Sequence, residues 1–348
     1  MSSMALCPEA VIVGVDTHKA EHYAVALDGL GRRLGQLTLA ANPDGYSVLL
    51  NWTAEFGAVL RFAVEGTGSY GSGLARFLRR NGHMVVEVSR PPRKGDRRRA
   101  GKSDAIDAEH AARAVLAGTA TATPKLADGV VEAIRLVKIV RDTAVKAKTQ
   151  AMITLKSVLV TADDARRAEL EPLSDFRLIQ ACACLDVADD LADSAAAMKH
   201  VLRALARRWL ELHAEISVHS RQLKRLTNAA APQLVAAFGI GPDVAAELLV
   251  TAGDNGDRIR SEAALAKWCG ACPIPASSGQ TTGRHRLNRG GNRQANAALY
   301  RVIVVRLRWH PPTLAYAQRR TAEGLSKREI IRCLKRFLVR EIYRLLPA

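Results

Sequence analysis

Four carboxylates, Asp16, Glu65, Asp104 and Asp107, have the placement most able to do chemistry in this chain of 348 residues. Asp16 follows the apolar run Val11–Val15, and Glu65 closes the run that begins at Val59. Each therefore falls at the end of an expected strand, where sites are commonly built. Asp104 and Asp107 stand three apart just after Ser103, a residue type that caps helices, so they share one face of a first helical turn. The positive end of the helix dipole favours their charge. Carboxylates drawn into one site repel and raise one another's pKa. Hard divalent cations relieve that repulsion, and Mg²⁺ prefers such oxygen donors. Two ions can clamp the attacking and leaving oxygens of a phosphoryl transfer. All four acids are therefore candidate catalytic and Mg²⁺-binding residues. Taken singly, each is also an ordinary turn or helix-start acid. Asp28, Asp44, Glu87 and Glu109 fit no comparable pattern.

A second group lies near the C-terminal end. Pro273-Ile274-Pro275-Ala276-Ser277-Ser278-Gly279-Gln280 reads as an exposed loop. It is followed by Arg284, Arg286, Arg289, Asn292 and Arg293, whose guanidinium groups can hold phosphates in bidentate fashion. A serine hydroxyl is a poor nucleophile without a base, metal or charge cluster to activate it. On its own, the Ser-Ser-Gly string is an ordinary loop. Cys269-x-x-Cys272 lacks a second ligand pair and reads as buried thiols rather than a zinc site. His18, His22 and His310 read as surface or locally hydrogen-bonded residues.

The elements that must position these groups alternate along the first part of the chain. Strands are expected at Val11–Val15, Tyr23–Leu27 and Leu34–Ala40, then a helix opened by Asn42-Pro43 and running to about Phe56. A strand at Val59–Glu65, a helix at Tyr70–Arg80, a strand at Met84–Val88 and a helix from Ser103 to about Leu116 follow. Three strands close enough for hairpins and then crossover helices imply a mixed α/β sheet, in the element order of the RNase H-like fold. Between about Val130 and Ala230 the pattern is helical. Met198, Leu202, Leu205, Trp209, Leu212, Ile216, His219, Leu223 and Leu226 form a heptad seam, readable as an internal hairpin or as a self-association surface. Around Phe238-Gly239-Ile240-Gly241-Pro242 the chain reads as helix, tight turn, helix. This resembles a helix-hairpin-helix, with Gly239 and Gly241 letting backbone N–H groups approach a phosphate. Residues Lys327–Leu346 read as a basic amphipathic helix. The division is thus 1–125, 126–229 and 230–348.

The net charge of +17 is unevenly placed. From Arg284 to Arg344 there are sixteen Lys and Arg against three acids, and from Arg90 to Lys102 seven against Asp96. The second cluster supplies Arg93, Lys94, Arg97, Arg98, Arg99 and Lys102 as candidate nucleic-acid contacts. Charge gathered in this way suits a polyanion, because neutralised phosphates release counterions. No apolar run approaches the roughly 20 residues that span a bilayer. The first residues show no secretory signal, and the six cysteines no disulfide framework, so a reduced cytoplasmic setting is expected.

The segments Val13-Gly14-Val15-Asp16-Thr17-His18-Lys19, Val64-Glu65-Gly66-Thr67-Gly68 and Lys102-Ser103-Asp104-Ala105-Ile106-Asp107-Ala108 resemble the three acidic motifs of the DEDD transposases of the insertion-sequence-110 type, relatives of Piv-like DNA invertases. The run from Pro273 through Tyr300 resembles that family's C-terminal transposase domain. The resemblance implies a RuvC-like catalytic domain, and a serine just before glycine that attacks DNA through a phosphoserine intermediate. Ser278 is then the candidate, with Ser277 as the alternative. It further implies DNA as substrate, a guide RNA encoded by the element, and assembly as a dimer or tetramer. A RuvC-like nuclease that hydrolyses DNA without a covalent serine step is the competing expectation; a non-catalytic DNA-binding derivative is the third.

Overall fold

The structure is a computed structural model and describes residues 10–88, 103–187, 190–256, 258–276, 285–288 and 290–347. The first part forms β1 (Val11–Thr17), β2 (Glu21–Leu27), β3 (Arg33–Ala40), α1 (Pro43–Ala54), β4 (Val59–Glu65), α2 (Ser72–Arg80), β5 (Val85–Val88) and α3 (Asp104–Leu116). The strands lie side by side as β3-β2-β1-β4-β5, with β1–β2 and β2–β3 antiparallel and β1–β4 and β4–β5 parallel. This mixed sheet is compatible with the RNase H-like expectation.

Strand periodicity explains its two faces. Val11, Val13 and Val15 of β1, with Phe62 and Val64 of β4, point to one side and pack with Leu49 of α1 and Leu74 and Leu78 of α2. Ile12 of β1 and Ala63 of β4 point to the other side and pack with Ala108, Ala111, Ala112 and Val115 of α3. The approach of α3 is unusually close: a Cβ on Gly14 would lie 1.9 Å from the Ala108 carbonyl oxygen and 2.7 Å from the Ala112 nitrogen. The three alanines let the helix settle there, and glycine is the only residue that fits beneath it. Gly14→Ala should therefore lift α3 from the sheet and lower stability by about 3 kcal/mol, as overpacking against backbone does. Urea denaturation would measure this.

The chain folds as two compact units. The first comprises Met1–Gly129 together with Ala252–Ser261, and the second Val130–Thr251 with Glu262–Pro347. The returning segment is tied into the first unit by Asn255, whose Nδ2 donates to the Pro124 carbonyl at 3.2 Å.

The second unit is mainly helical: α4 (Val130–Val160), α5 (Asp164–Leu170), α6 (Asp175–Ala183), α7 (Ser194–Ala230), α8 (Pro232–Ala236), α9 (Pro242–Ala252), α10 (Glu262–Trp268), a hairpin β6 (Pro273–Pro275) and β7 (His285–Leu287), then α11 (Arg293–Trp309), α12 (Pro311–Ala322) and α13 (Lys327–Leu345). The heptad seam is used inside the chain. Leu202, Ala206 and Trp209 of α7 pack with Ala151, Leu155 and Leu159 of α4 and with Leu178, Ile179 and Cys182 of α6. The expected loop from Pro273 begins instead as a strand, which prolines tolerate at a sheet edge. Among the described residues, no helix is long and apolar enough to cross a membrane.

Charge also holds α4 to α9. Lys138, 9% exposed, places its Nζ 2.9 Å from Asp142, 3.1 Å from Asp243 and 3.5 Å from Glu247. Burial alone would lower the Lys138 pKa, but Asp142 and Asp243 outweigh it and hold the ammonium above its usual value. At Glu247 burial wins over Lys138, and the carboxyl is raised. Lys138→Ala would take its cation from the buried Glu247, while Asp142 and Asp243 keep Arg141, so a loss of about 3 kcal/mol in chemical denaturation is expected.

Candidate metal centre

The first unit brings the acids to one side of its sheet. Counting along β1, Ile12, Gly14 and Asp16 face α3, and along β4 so do Ala63 and Glu65. Parallel pairing of Val15 with Val64 sets the next residues of each strand, Asp16 and Glu65, side by side. Thr17 reinforces this end of the ladder by donating its hydroxyl to the Glu65 carbonyl at 2.9 Å. Opposite them, Ser103 caps α3, its Oγ accepting from the Ile106 nitrogen. The cap fixes where the helix begins and so places Asp104 and Asp107 in its first turn.

The tightest group is Asp16, His18 and Asp104, whose ligand atoms all lie within 4.8 Å of one another. His18 Nε2 stands 3.1 Å from Asp16 Oδ2 and 3.4 Å from Asp104 Oδ1. Its ring meets Tyr23 edge-on at 5.9 Å, and Tyr23 is the residue paired with Asp16 across the β1–β2 ladder. The Asp16 side chain is 13% exposed. Burial pushes its carboxyl above the usual carboxylate range; His18 opposes the shift, while the charges of Asp107 and Asp104 add to it. Asp107 is thus close enough to be felt electrostatically, although neither it nor Glu65 belongs to the tight group. A cleft of about 420 Å³ opens beside the site between Tyr23, Gln36, Thr38, Ser103 and Asp104.

The donor set suits a divalent cation. Hard carboxylate oxygens of Asp16 and Asp104 converge on His18, and burial disfavours the charge of Asp16. The sequence reads His18 as a surface or locally hydrogen-bonded residue, whereas the structure places it in the tight group with Asp16 and Asp104. The signal available was its i, i+2 spacing from Asp16, which puts both on one face once β1 extends to Thr17.

Other acids do structural work. Asp28 accepts from the Leu30 and Arg32 nitrogens in a turn, and Glu109 pairs with Arg113 on α3.

In the second unit, Ser277, Ser278, Arg284 and Arg289 lie outside the described residues, as do Arg93, Lys94, Arg97, Arg98, Arg99 and Lys102 of the first. Arg286 stands on β7 and Arg293 is the exposed first residue of α11. Asn292 is the N-cap of α11: its oxygen accepts from the Gln294 and Ala295 nitrogens, and its Nδ2 donates to Thr251 Oγ1 at 3.3 Å. Gly239, at φ 80°, makes the turn between α8 and α9, and Arg306 Nε donates to the neighbouring Phe238 carbonyl at 2.9 Å. Gly241 is not in the left-handed region. Burial pushes the Cys269 thiol up to about 12, and Cys272 accepts from Asn288 Nδ2.

Comparison with known proteins agrees with both halves of this picture. Residues 13–162 match the model of DEDD transposases of the IS110 type, described as "Transposase". Residues 231–318 match "Transposase IS116/IS110/IS902 family". An "Insertion element IS110 uncharacterized 43.6 kDa protein" of Streptomyces coelicolor is 29% identical over 148 residues, 42% of this chain but only 36% of that protein. An "Insertion element IS116 uncharacterized 44.8 kDa protein" of Streptomyces clavuligerus is 24% identical over 372 residues, 94% of this chain and 92% of that protein. With models of one family matching in order over about two thirds of its length, the chain belongs to the IS110/IS116 family of insertion-sequence transposases.

Proposed function

We propose that this chain cuts and rejoins DNA at the ends of an insertion sequence, using a Mg²⁺ site on an RNase H-like domain and a serine nucleophile. The observation that carries the reading is the convergence of Asp16, His18 and Asp104 within 4.8 Å, on a chain that matches transposases in both its parts. Asp16, Glu65, Asp104 and Asp107 would hold the cations, two in the full reading. Bound there, Mg²⁺ would neutralise charge developing on the phosphoryl oxygens.

The chain's own residues do the rest. The Asp16 side chain is largely buried, and the capped start of α3 holds Asp104 and Asp107 in the helix's first turn. In the proposed chemistry the Ser278 oxygen bonds to phosphorus as the P–O3′ or P–O5′ ester bond breaks, and a proton returns to the departing hydroxyl. A later attack by a DNA hydroxyl on the phosphoserine restores the ester and frees the serine, so phosphodiester bonds are exchanged rather than lost. The basic residues Arg284, Arg286, Arg289 and Arg293, with the Arg93–Lys102 cluster, hold phosphates, and the α8–α9 turn clamps backbone. A guide RNA, self-association and a cytoplasmic location enter on the resemblance to the family. The first half of the α7 seam, Met198 to Trp209, does not argue for self-association, because it packs within the chain.

The test is to incubate purified protein with DNA spanning the element's ends, its flanking RNA and Mg²⁺, then to sequence the products and trap covalent protein–DNA adducts by denaturation. Joined products and an adduct, both lost with EDTA, are expected. Cleavage without an adduct would favour the hydrolytic nuclease, and DNA binding without cleavage a non-catalytic derivative.

A further inference from the structure

The second unit contains a cavity of about 770 Å³, of whose lining residues the preceding chemistry uses Arg286 alone. Its walls carry Arg286 of β7, Arg320 of α12, and Arg332, Lys335, Arg336 and Arg340 of α13. Residues 332, 336 and 340 are four apart, so one face of α13 presents three guanidinium groups in line. Glu329 is the one carboxylate among the described lining residues. Behind the wall, Glu262 serves two of these cations at once: Arg336 at 2.8 Å and Arg340 at 3.2 Å. Arg320 pairs with Glu323, and Arg332 with Glu329 at 3.7 Å. Lys335 donates to the neutral Asn296 oxygen at 2.7 Å, and burial lowers its pKa. Among the described residues, three carboxylates therefore face six cations.

The surplus also shows atom by atom. Arg320 Nε and Arg336 Nη1 are buried and have no hydrogen-bond partner among the described residues. An unsatisfied buried donor costs about 1–3 kcal/mol, and more when it is charged, so the protein's own acceptors do not fully satisfy these two guanidinium groups. Guanidinium forks match the geometry of phosphate oxygens. Tyr316 and Phe337, crossing at 5.5 Å, add an aromatic wall beside the cations. The volume falls within the range of about 300–1,000 Å³ that holds one compact ligand, which is too small for a duplex and suited to a single nucleotide.

We propose that this cavity binds a nucleotide of a single nucleic-acid strand, its phosphate on Arg320, Arg332 and Arg336 and its base against Phe337. Only the identification of the phosphate as belonging to a nucleic-acid strand rests on the transposase reading; the anion site stands on the residues themselves.

Two cysteines provide built-in reporters. Cys272 and Cys333 both line the cavity and are partly exposed, whereas Cys184 is exposed on another part of the unit and Cys182 and Cys269 are buried. Alkylation of the full chain by iodoacetamide is followed peptide by peptide in the presence of a short single-stranded DNA, the matching duplex, pyrophosphate or poly-aspartate, with DNA binding measured in parallel by anisotropy. The single strand should slow labelling of Cys272 and Cys333 about tenfold at about ten times its Kd, with Cys184 unaffected. Arg332→Ala, which leaves the Glu262 pairs intact, should weaken strand binding and reduce the salt slope by about one. Arg336→Gln should do the same, and its melting temperature checks that the loss of the Glu262 contact has not unfolded the unit. Protection by pyrophosphate alone, or equally by poly-aspartate, would overturn the strand assignment. Single strand bound without protection of either cysteine would overturn the cavity site and leave the proposed function standing. An absence of DNA binding in every arm would instead count against that function.

Discussion

Asp16→Asn should abolish divalent-cation-dependent strand cleavage, a loss of about a thousandfold or more, or ~4 kcal/mol of transition-state stabilisation. The substitution keeps the size of a side chain that is 13% exposed, and it removes the charge at the centre of the Asp16–His18–Asp104 group. Its effect on stability should have the opposite sign. The folded-state pKa of Asp16 is raised by burial, with Asp107 and Asp104 contributing in the same direction. A carboxyl of this kind supports the fold while protonated and loses that contribution as pH rises through its folded pKa. At neutral pH without metal, the asparagine variant should therefore melt at or above the wild-type temperature, and the difference should vanish in acid. Added Mg²⁺ should stabilise the wild type by about 2.7 kcal/mol at a hundredfold excess over Kd, and the variant much less. Calorimetry with and without Mg²⁺ reads both effects. A variant that still cleaves at the wild-type rate, or that melts lower without metal, would remove Asp16 from the site.

Ser278→Ala should eliminate the covalent protein–DNA adduct altogether while sparing the Mg²⁺-dependent rise in melting temperature. Without Oγ there is no atom to form the phosphoester, so the loss is complete rather than graded. DNA binding should persist, because phosphate contacts come from the surrounding cations. Ser277→Ala is the matched control and should retain the adduct. If the adduct disappears with Ser277→Ala instead, the nucleophile moves by one residue. If both variants form it, the attacking atom lies elsewhere; if the wild type forms none, hydrolysis is the better account. Denaturing electrophoresis of labelled DNA distinguishes these outcomes.

Much of the first unit was legible because its signals are local. The alternation in Val11–Val15 and Val59–Glu65 reads as strands, and Asn42-Pro43 and Ser103 open helices where the structure has them. Convergence of the acids was inferred from strand ends, but the tight group proved to include His18. Treating β1 as ending at Asp16 hid the face those two residues share. The seam of α7 was legible as a period but not as a partner, since a heptad pattern does not say which helix fills it. The β6–β7 pairing was masked by prolines that read as loop. The cavity was invisible for a different reason. Lys327–Leu346 read only as a basic amphipathic helix, and tertiary packing alone shows that a nitrogen of Arg336 and one of Arg320 are shut away from solvent.

The returning segment Ala252–Ser261 limits how this protein can be rearranged. Splicing the acidic half of one relative onto the helical half of another at a single joint near residue 129 would leave the graft filled by a foreign stretch of ten residues. Asn255 would then be replaced by whatever the donor offers to the Pro124 carbonyl. Functional hybrids should therefore require three breakpoints, so lineages would be expected to inherit the two units together.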